Sequence, residues 1–168
     1  MRRASTYIYD MPSIEEIIQQ STFESAQQKV MINLVFSGGW AKSNAARTLK
    51  AYNLTWQQFN LMRILKGQKG KAVPLRLLSS RMLDPQSNAS RLVDKLVEKK
   101  WIDRVVCHVD KRQVRLSISH KGAVVLEQAS LKIKAANSKL GGDLSVDELN
   151  TLSDLLDRFR NQRQHNDL

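Results

Sequence analysis

The chain has 168 residues, 42% of them apolar, enough for one globular domain with a sizeable core and too few for a second independent one. No uninterrupted apolar run approaches the roughly 20 residues of a membrane span, and no apolar segment with a cleavage pattern follows Arg2 and Arg3, so a soluble cytoplasmic protein is expected. The net charge of +11 is concentrated: residues 60–122 hold fifteen basic and five acidic side chains, while both flanks are close to neutral, a distribution that would attract a polyanion.

A lone cysteine, Cys107, excludes an intrachain disulfide and a cysteine pair for zinc, and His108, His120 and His165 form no metal motif. Nor does the chain contain a recognisable Ser, His and Asp grouping, a glycine-rich phosphate loop or a paired-carboxylate motif. It therefore reads as a protein that is not an enzyme and that requires no metal or cofactor.

Residues 1–11 carry no usable periodicity and read as a flexible arm. From Pro12 the pattern becomes helical, with Ile14, Ile17 and Ile18 on one face and then Phe23, Ala26, Val30, Leu34 and Val35. Gly38 and Gly39 interrupt this segment and mark a bend, a helix end or a close backbone approach, so the expectation is one long broken helix or two short ones. Thr55 and Gln58 then have the spacing of a capping box, and Phe59, Met62 and Leu65 form an inward face.

Pro74 opens a short helix with Leu75, Leu78 and Met82 on one side. Asp84 followed by Pro85 predicts the start of the next, with Ala89, Leu92, Val93, Leu96 and Val97 inward and Arg91, Lys95, Lys99 and Lys100 outward. Two short helices joined by a tight turn, the second apolar behind and basic in front, are what a helix-turn-helix requires. The period then changes to two. Val105 and Cys107 are expected on the inward side of one strand, and Val114, Leu116 and Ile118 on that of a second, around a polar tip. Ser119 is placed to cap a helix that runs to Gly141 and Gly142, and Ser145 with Glu148 forms another capping box. The last helix carries a wide stripe of Leu149, Leu152, Leu155, Leu156 and Phe159, which a second subunit would cover.

The segment LLSSRMLDPQSNASRLVDKLVEKKWIDR, followed by DKRQVRLSISHKG, resembles the helix-turn-helix and wing of the MarR family of transcription regulators. The resemblance implies a mainly α fold with a small β-hairpin wing: a dimerisation region at 12–54, a DNA-binding winged helix-turn-helix at 55–122 and a second dimerisation region at 123–168. Ile14, Ile17, Ile18, Leu149, Leu152, Leu156 and Phe159 are the dimerisation candidates. The chain departs from the family pattern in placing Lys100 and Trp101 where glycine and leucine are common, and Pro74 where a hydroxyl cap is common.

By position, Gln86, Ser87, Asn88, Ser90, Arg91 and Lys95 correspond to the family's groove readers and phosphate clamps. Asn and Gln can match the edge of adenine, and Arg that of guanine. In the wing, Asp110, Lys111, Arg112 and Arg115 are the candidates, with Arg112 entering the minor groove and Asp110 fixing an arginine. Trp40, Tyr52, Trp56, Phe59 and Arg63 are candidates for a pocket taking a small aromatic or anionic effector, against the plainer reading of core packing. Cys107 reads as a buried inert thiol.

The expected protein is a homodimeric, sequence-specific regulator, a repressor modulated by a small molecule, acting on an inverted-repeat operator in double-stranded DNA. The alternative is a winged-helix module that binds protein, which would require an apolar exposed face on the second helix.

Overall fold

The computed structural model describes residues 12–84, 86–106 and 114–161. Among the described residues, seven helices and three strands follow in the order α1 (Ile14–Ile18), α2 (Ala26–Lys50), α3 (Trp56–Lys66), β1 (Val73–Pro74), α4 (Leu75–Arg81), α5 (Ala89–Glu98), β2 (Ile102–Val106), β3 (Val114–Ile118), α6 (His120–Asn137) and α7 (Val146–Asn161). They fall into two compact units, one ending at Asn44 and the other beginning at Ala45.

In the first unit, Ser13 caps α1 and Glu16 returns the bond to the Ser13 N–H, a reciprocal capping box. An ion pair from Lys29 to Glu15 ties α2 to α1, and Ile14 is buried. The predicted break at Gly38 and Gly39 does not occur, because α2 runs unbroken through both. Glycine in a helix costs about 1 kcal/mol relative to alanine but leaves the hydrogen-bond ladder intact. No neighbouring atom within 4 Å of a β-carbon at either position demands a bend.

The second unit holds the core. Phe59, Met62 and Leu65 of α3 pack with Leu78 of α4, Val93 and Leu96 of α5, and Leu126 of α6, all almost fully buried. The capping box predicted from Thr55 and Gln58 forms at the start of α3. Asn60, on the same helix, accepts the Leu83 N–H at 3.1 Å through its Oδ1 and so ties the turn after α4 to α3.

The strands form an antiparallel sheet in the order β1-β3-β2. The edge strand β1 has no counterpart in the sequence pattern, being two residues long and so too short to show a period. Its Pro74 sits opposite Arg115 on an edge, where a missing N–H is tolerated. The expected facing of β2 is also corrected. Val105 pairs with Arg115 on the outer face and is 42% exposed, while the inward parity belongs to Ile102, opposite Ile118. A shift of one residue exchanges the faces of a strand. Cys107, expected on the same face as Val105, lies outside the described residues, as does the hairpin tip.

Candidate nucleic-acid interface

The turn between α4 and α5 is built by short-range hydrogen bonds. Asp84 accepts the Ser87 N–H through its carbonyl at 3.1 Å and the Gln86 N–H through Oδ1 at 3.2 Å. Its carboxylate therefore organises the turn and does not cap the helix as the sequence suggested. Asn88 is the N-cap, and its Oδ1 accepts the Arg91 N–H at 3.0 Å. With that oxygen engaged, the side-chain amide has donors left to offer, but it would have to release its cap to present a donor and an acceptor together. The Ser87 hydroxyl is shielded and has no hydrogen-bond partner among the described residues.

On α5 the separation of faces is sharp. Ala89, Val93 and Leu96 are buried, whereas Ser90, Arg91, Asp94, Lys95 and Glu98 are exposed. Gln86 and Asn88 are exposed just ahead of the helix. An apolar back locked into the core and a polar front in solvent hold the helix rigidly while leaving its side chains to meet a partner. Asp94 is not a lone negative charge on that front, because Arg104 of β2 pairs with it. That ion pair joins α5 to β2. Arg115 is exposed on β3. Asp110, Lys111 and Arg112 lie outside the described residues.

The exit from α5 explains how lysine replaces the common glycine. Lys100 adopts the left-handed conformation, φ 59°. Its N–H bonds to the Val97 carbonyl at 2.8 Å and the Trp101 N–H to the Leu96 carbonyl at 2.9 Å, the paired bonds of a Schellman turn. Buried Trp101 and Leu96 supply the apolar contact that accompanies such a turn.

Lys99, assigned by its spacing to the basic front, is instead folded back. Its ammonium donates to the Asn53 carbonyl at 2.6 Å and lies 4.7 Å from the centre of the Trp101 ring. Burial, and secondarily the neighbouring charge of Lys95, lowers its pKa from the ordinary lysine value. Sequence spacing could not reveal this contact, since it joins positions 46 apart in the chain.

The effector candidates are distributed over both units. Trp40 belongs to the first, where it is 46% exposed and lines a cavity of about 350 Å³ with Ile14, Ile17 and Phe36. In the second, Phe59 is a core residue, and the Trp56 ring lies 5.9 Å from it at a tilt of 31°. Tyr52 is partly buried against the same core. The guanidinium of Arg63 lies 6.0 Å from the Phe59 ring centre and, with Lys66, borders a cavity of about 460 Å³. Ala123, Leu126, Glu127 and Ser130 of α6 form its other wall. Two cations, the Glu127 carboxylate, the Ser130 hydroxyl and the apolar Ala123 and Leu126 line it, a mixed surface of net positive charge. Lys66 and the α6 wall had no sequence signal of their own, because a cavity between two helices is not a periodic feature.

Of the proposed dimerisation residues, Ile14 is buried in the first unit, while Ile17 is exposed. Ile18 is partly buried; on α7, Leu149, Leu152 and Phe159 are exposed and Leu156 is partly buried, with Leu155, outside the proposed set, also exposed. Among the described residues no cluster of three His, Cys, Asp or Glu side chains could hold a metal, and no helix is long and apolar enough to cross a membrane.

The family model described as MarR family matches residues 52–113. Solved structures of regulators share the fold across most of the chain. An organohalide-sensing transcriptional regulator bound to 2,4-dichlorophenol has a TM-score of 0.74 at 20% identity, the match covering 84% of this chain and 86% of that one. BpsR of Bordetella bronchiseptica, whose structure concerns regulation of DNA binding by 6-hydroxynicotinic acid, has a TM-score of 0.72 at 17% identity, covering 83% and 99%. CouR of Rhodococcus jostii RHA1, bound to p-coumaroyl-CoA, has a TM-score of 0.69 at 20% identity, covering 83% and 97%.

Proposed function

We propose, from the premise that residues 52–113 are a MarR-family winged helix-turn-helix, that this regulator is a homodimeric, sequence-specific DNA-binding repressor whose hold on its operator is modulated by a small aromatic or anionic compound. The observation that carries the reading is the division of α5 between a buried apolar back and an exposed front bearing Ser90, Arg91 and Lys95. A helix so held fits the major groove, where side chains reach base edges. Two copies related by a twofold axis would read half-sites about one helical turn apart, hence an inverted repeat.

The division of labour follows from the chemistry. Gln86, Asn88 and Arg91 reach bases, while Ser90 and Lys95 hold phosphates and fix the register; Ser87, whose hydroxyl is shielded and whose N–H is held by Asp84, serves the turn instead. Arg112 enters the minor groove beside Lys111, with Asp110 orienting the guanidinium, and Arg115 contacts the backbone. The excess of positive charge in residues 60–122 speeds encounter but supplies no choice of sequence. Occupying a promoter is enough to block it, which favours repression. A protein-docking role would need apolar side chains on the front of α5, and that front is polar and charged.

Effector control rests on the cavity between α3 and α6, where Arg63 and Lys66, outnumbering the single carboxylate of Glu127, would meet an acidic group beside the apolar Ala123 and Leu126. Relatives of the same fold are bound to, or regulated by, a chlorinated phenol, a hydroxynicotinic acid and a coumaroyl thioester. A compound acts as an effector only by distinguishing the DNA-competent state from the other.

The test is selection from a randomised duplex pool, followed by titration of the enriched duplex against a scrambled one at fixed salt. An enriched inverted repeat with a large preference is the expected result. Binding without a preferred sequence overturns the reading.

A further inference from the structure

Lys99 sits at the C-cap of α5, one turn after Lys95, where a sequence pattern counts it among the DNA-facing cations. The geometry assigns it elsewhere. Its ammonium reaches across to the carbonyl of Asn53, in the turn between α2 and α3, and its charge lies over the face of Trp101. Both ends of this bridge are places where the chain turns sharply. Asn53 is left-handed, with φ 51°, and Lys100, next to Lys99, is left-handed with φ 59°. The Asn53 carbonyl lies in the turn, outside the ladder of either helix, and the ammonium supplies it a charged donor. The indole face adds attraction for the same cation.

We infer that Lys99 is a positioning residue for DNA reading: a clamp that fixes the exit of α5 to the turn between α2 and α3, and not a phosphate contact. The inference rests on the DNA-binding reading above for its consequence, though not for the clamp itself. The turn it grips lies beside Tyr52 and leads through the Thr55 cap into α3, the helix that carries Arg63 and Lys66 to the cavity with α6. A shift of α3 therefore reaches the last turn of α5 through this hydrogen bond in addition to the packing of Phe59, Met62 and Leu65 on Val93 and Leu96. Side chains that link two elements in this way change coupling without touching the ligand.

The experiment compares Lys99→Met, which keeps the stem on Trp101 and removes the ammonium, with Lys99→Arg and Lys95→Met. Operator affinity is measured over a series of salt concentrations. Removing one phosphate-binding cation lowers the magnitude of the slope of log K against log salt by about 0.9, and a single substitution acts twice in a dimer. Lys95→Met is expected to flatten the slope accordingly. Lys99→Met is expected to weaken binding about tenfold at every salt concentration with the slope unchanged, and Lys99→Arg to restore most of the affinity. A flattened slope for Lys99→Met, or unchanged affinity, overturns the proposal.

Hydrogen exchange of the free protein separates this outcome from a failure of the DNA-binding reading. Lys99→Met is expected to speed exchange at Asn53, Leu54, Lys100 and Trp101 while leaving α6 as it was. Unchanged exchange at those four amides overturns the clamp whether or not the protein binds DNA, and Lys99→Gln repeats the comparison with a different neutral side chain.

Discussion

Gly122 lies against the backbone of Trp101 so closely that a β-carbon at position 122 would stand 2.1 Å from the Trp101 carbonyl oxygen. The same carbonyl accepts the Ser119 N–H at 3.0 Å, and the Ser119 hydroxyl donates to the Lys100 carbonyl at 2.8 Å while accepting the Gly122 N–H at 2.9 Å. The first turn of α6 is thus docked, backbone to backbone, on the point where α5 hands over to β2. Gly122→Ala must push these two backbones apart, since the three obstructing atoms, the O, C and Cα of Trp101, all belong to the backbone. We expect a loss of about 3 kcal/mol or more, above the usual cost of adding a methyl group to a packed core. Urea unfolding at neutral pH would measure it, and a loss below about 1 kcal/mol would contradict the close approach.

At Lys100 the opposite change should help. A left-handed residue with a β-carbon costs roughly 1–2 kcal/mol, part of which glycine returns as chain entropy in the unfolded state. Lys100→Gly is therefore expected to stabilise the fold by about 0.5–1 kcal/mol. The Schellman bonds from Lys100 and Trp101 use only backbone atoms and should survive. A midpoint in urea unchanged or lower than that of the parent would show that the lysine side chain contributes something glycine cannot.

These two positions also show what can be read from the sequence. The motif of hydroxyl residue, two residues and glycine at Ser119 and Gly122 marks the junction, because close approach and capping leave residue-type signatures. Thr55 with Gln58, and Ser145 with Glu148, are legible for the same reason. The start of α5 is ambiguous in the sequence because Asp84 and Asn88 are both good caps, and the choice depends on Asn60 and the turn geometry. The facing of β2 is inverted in the sequence pattern because Val105 is apolar yet exposed, while Arg104 shares the face of Ile102 and is drawn to Asp94. The partners of Lys99, and the cavity beside Arg63, depend on long-range packing that no local pattern encodes.

Glu148 gives a pH dependence with a definite sign. Its carboxylate accepts the Ser145 N–H at 2.7 Å and the Ser145 hydroxyl at 2.8 Å, and these bonds hold its pKa below the ordinary 4.5. A carboxyl with a folded pKa below its unfolded value contributes stability that is present above the unfolded pKa and lost as pH falls through the folded one. Glu148→Gln keeps a neutral acceptor and removes the titration. The helicity of α7, followed by hydrogen exchange on the acid side of 4.5, should therefore fall less steeply in the variant. Parallel acid profiles would place the sensitive group elsewhere.

The apolar stripe of α7 asks for a partner. Leu152 is 48% and Leu155 51% exposed, flanked by Leu149 and Phe159 on the same chain of exposed apolar positions. Burying such a side chain completely is worth about 1.5–3 kcal/mol, and roughly half of that remains available when it is already half covered. Several such side chains acting together supply a substantial part of the free energy of a subunit interface, whereas left in water they are an aggregation hazard. Leu152→Asp and Leu155→Asp are expected to leave the fold intact, because neither side chain belongs to the buried core. Each should convert the homodimer proposed above into a monomer in sedimentation experiments at micromolar concentration, with circular dichroism unchanged. Under the proposed function, such a monomer would keep one winged helix-turn-helix of the two an inverted repeat needs, so it should also lose most of its operator affinity while its weak binding to unrelated DNA persists. Variants that still sediment as the parent dimer would move the subunit interface away from α7, and the exposed apolar positions of α2, among them Val35 and Phe36, would be the next to substitute.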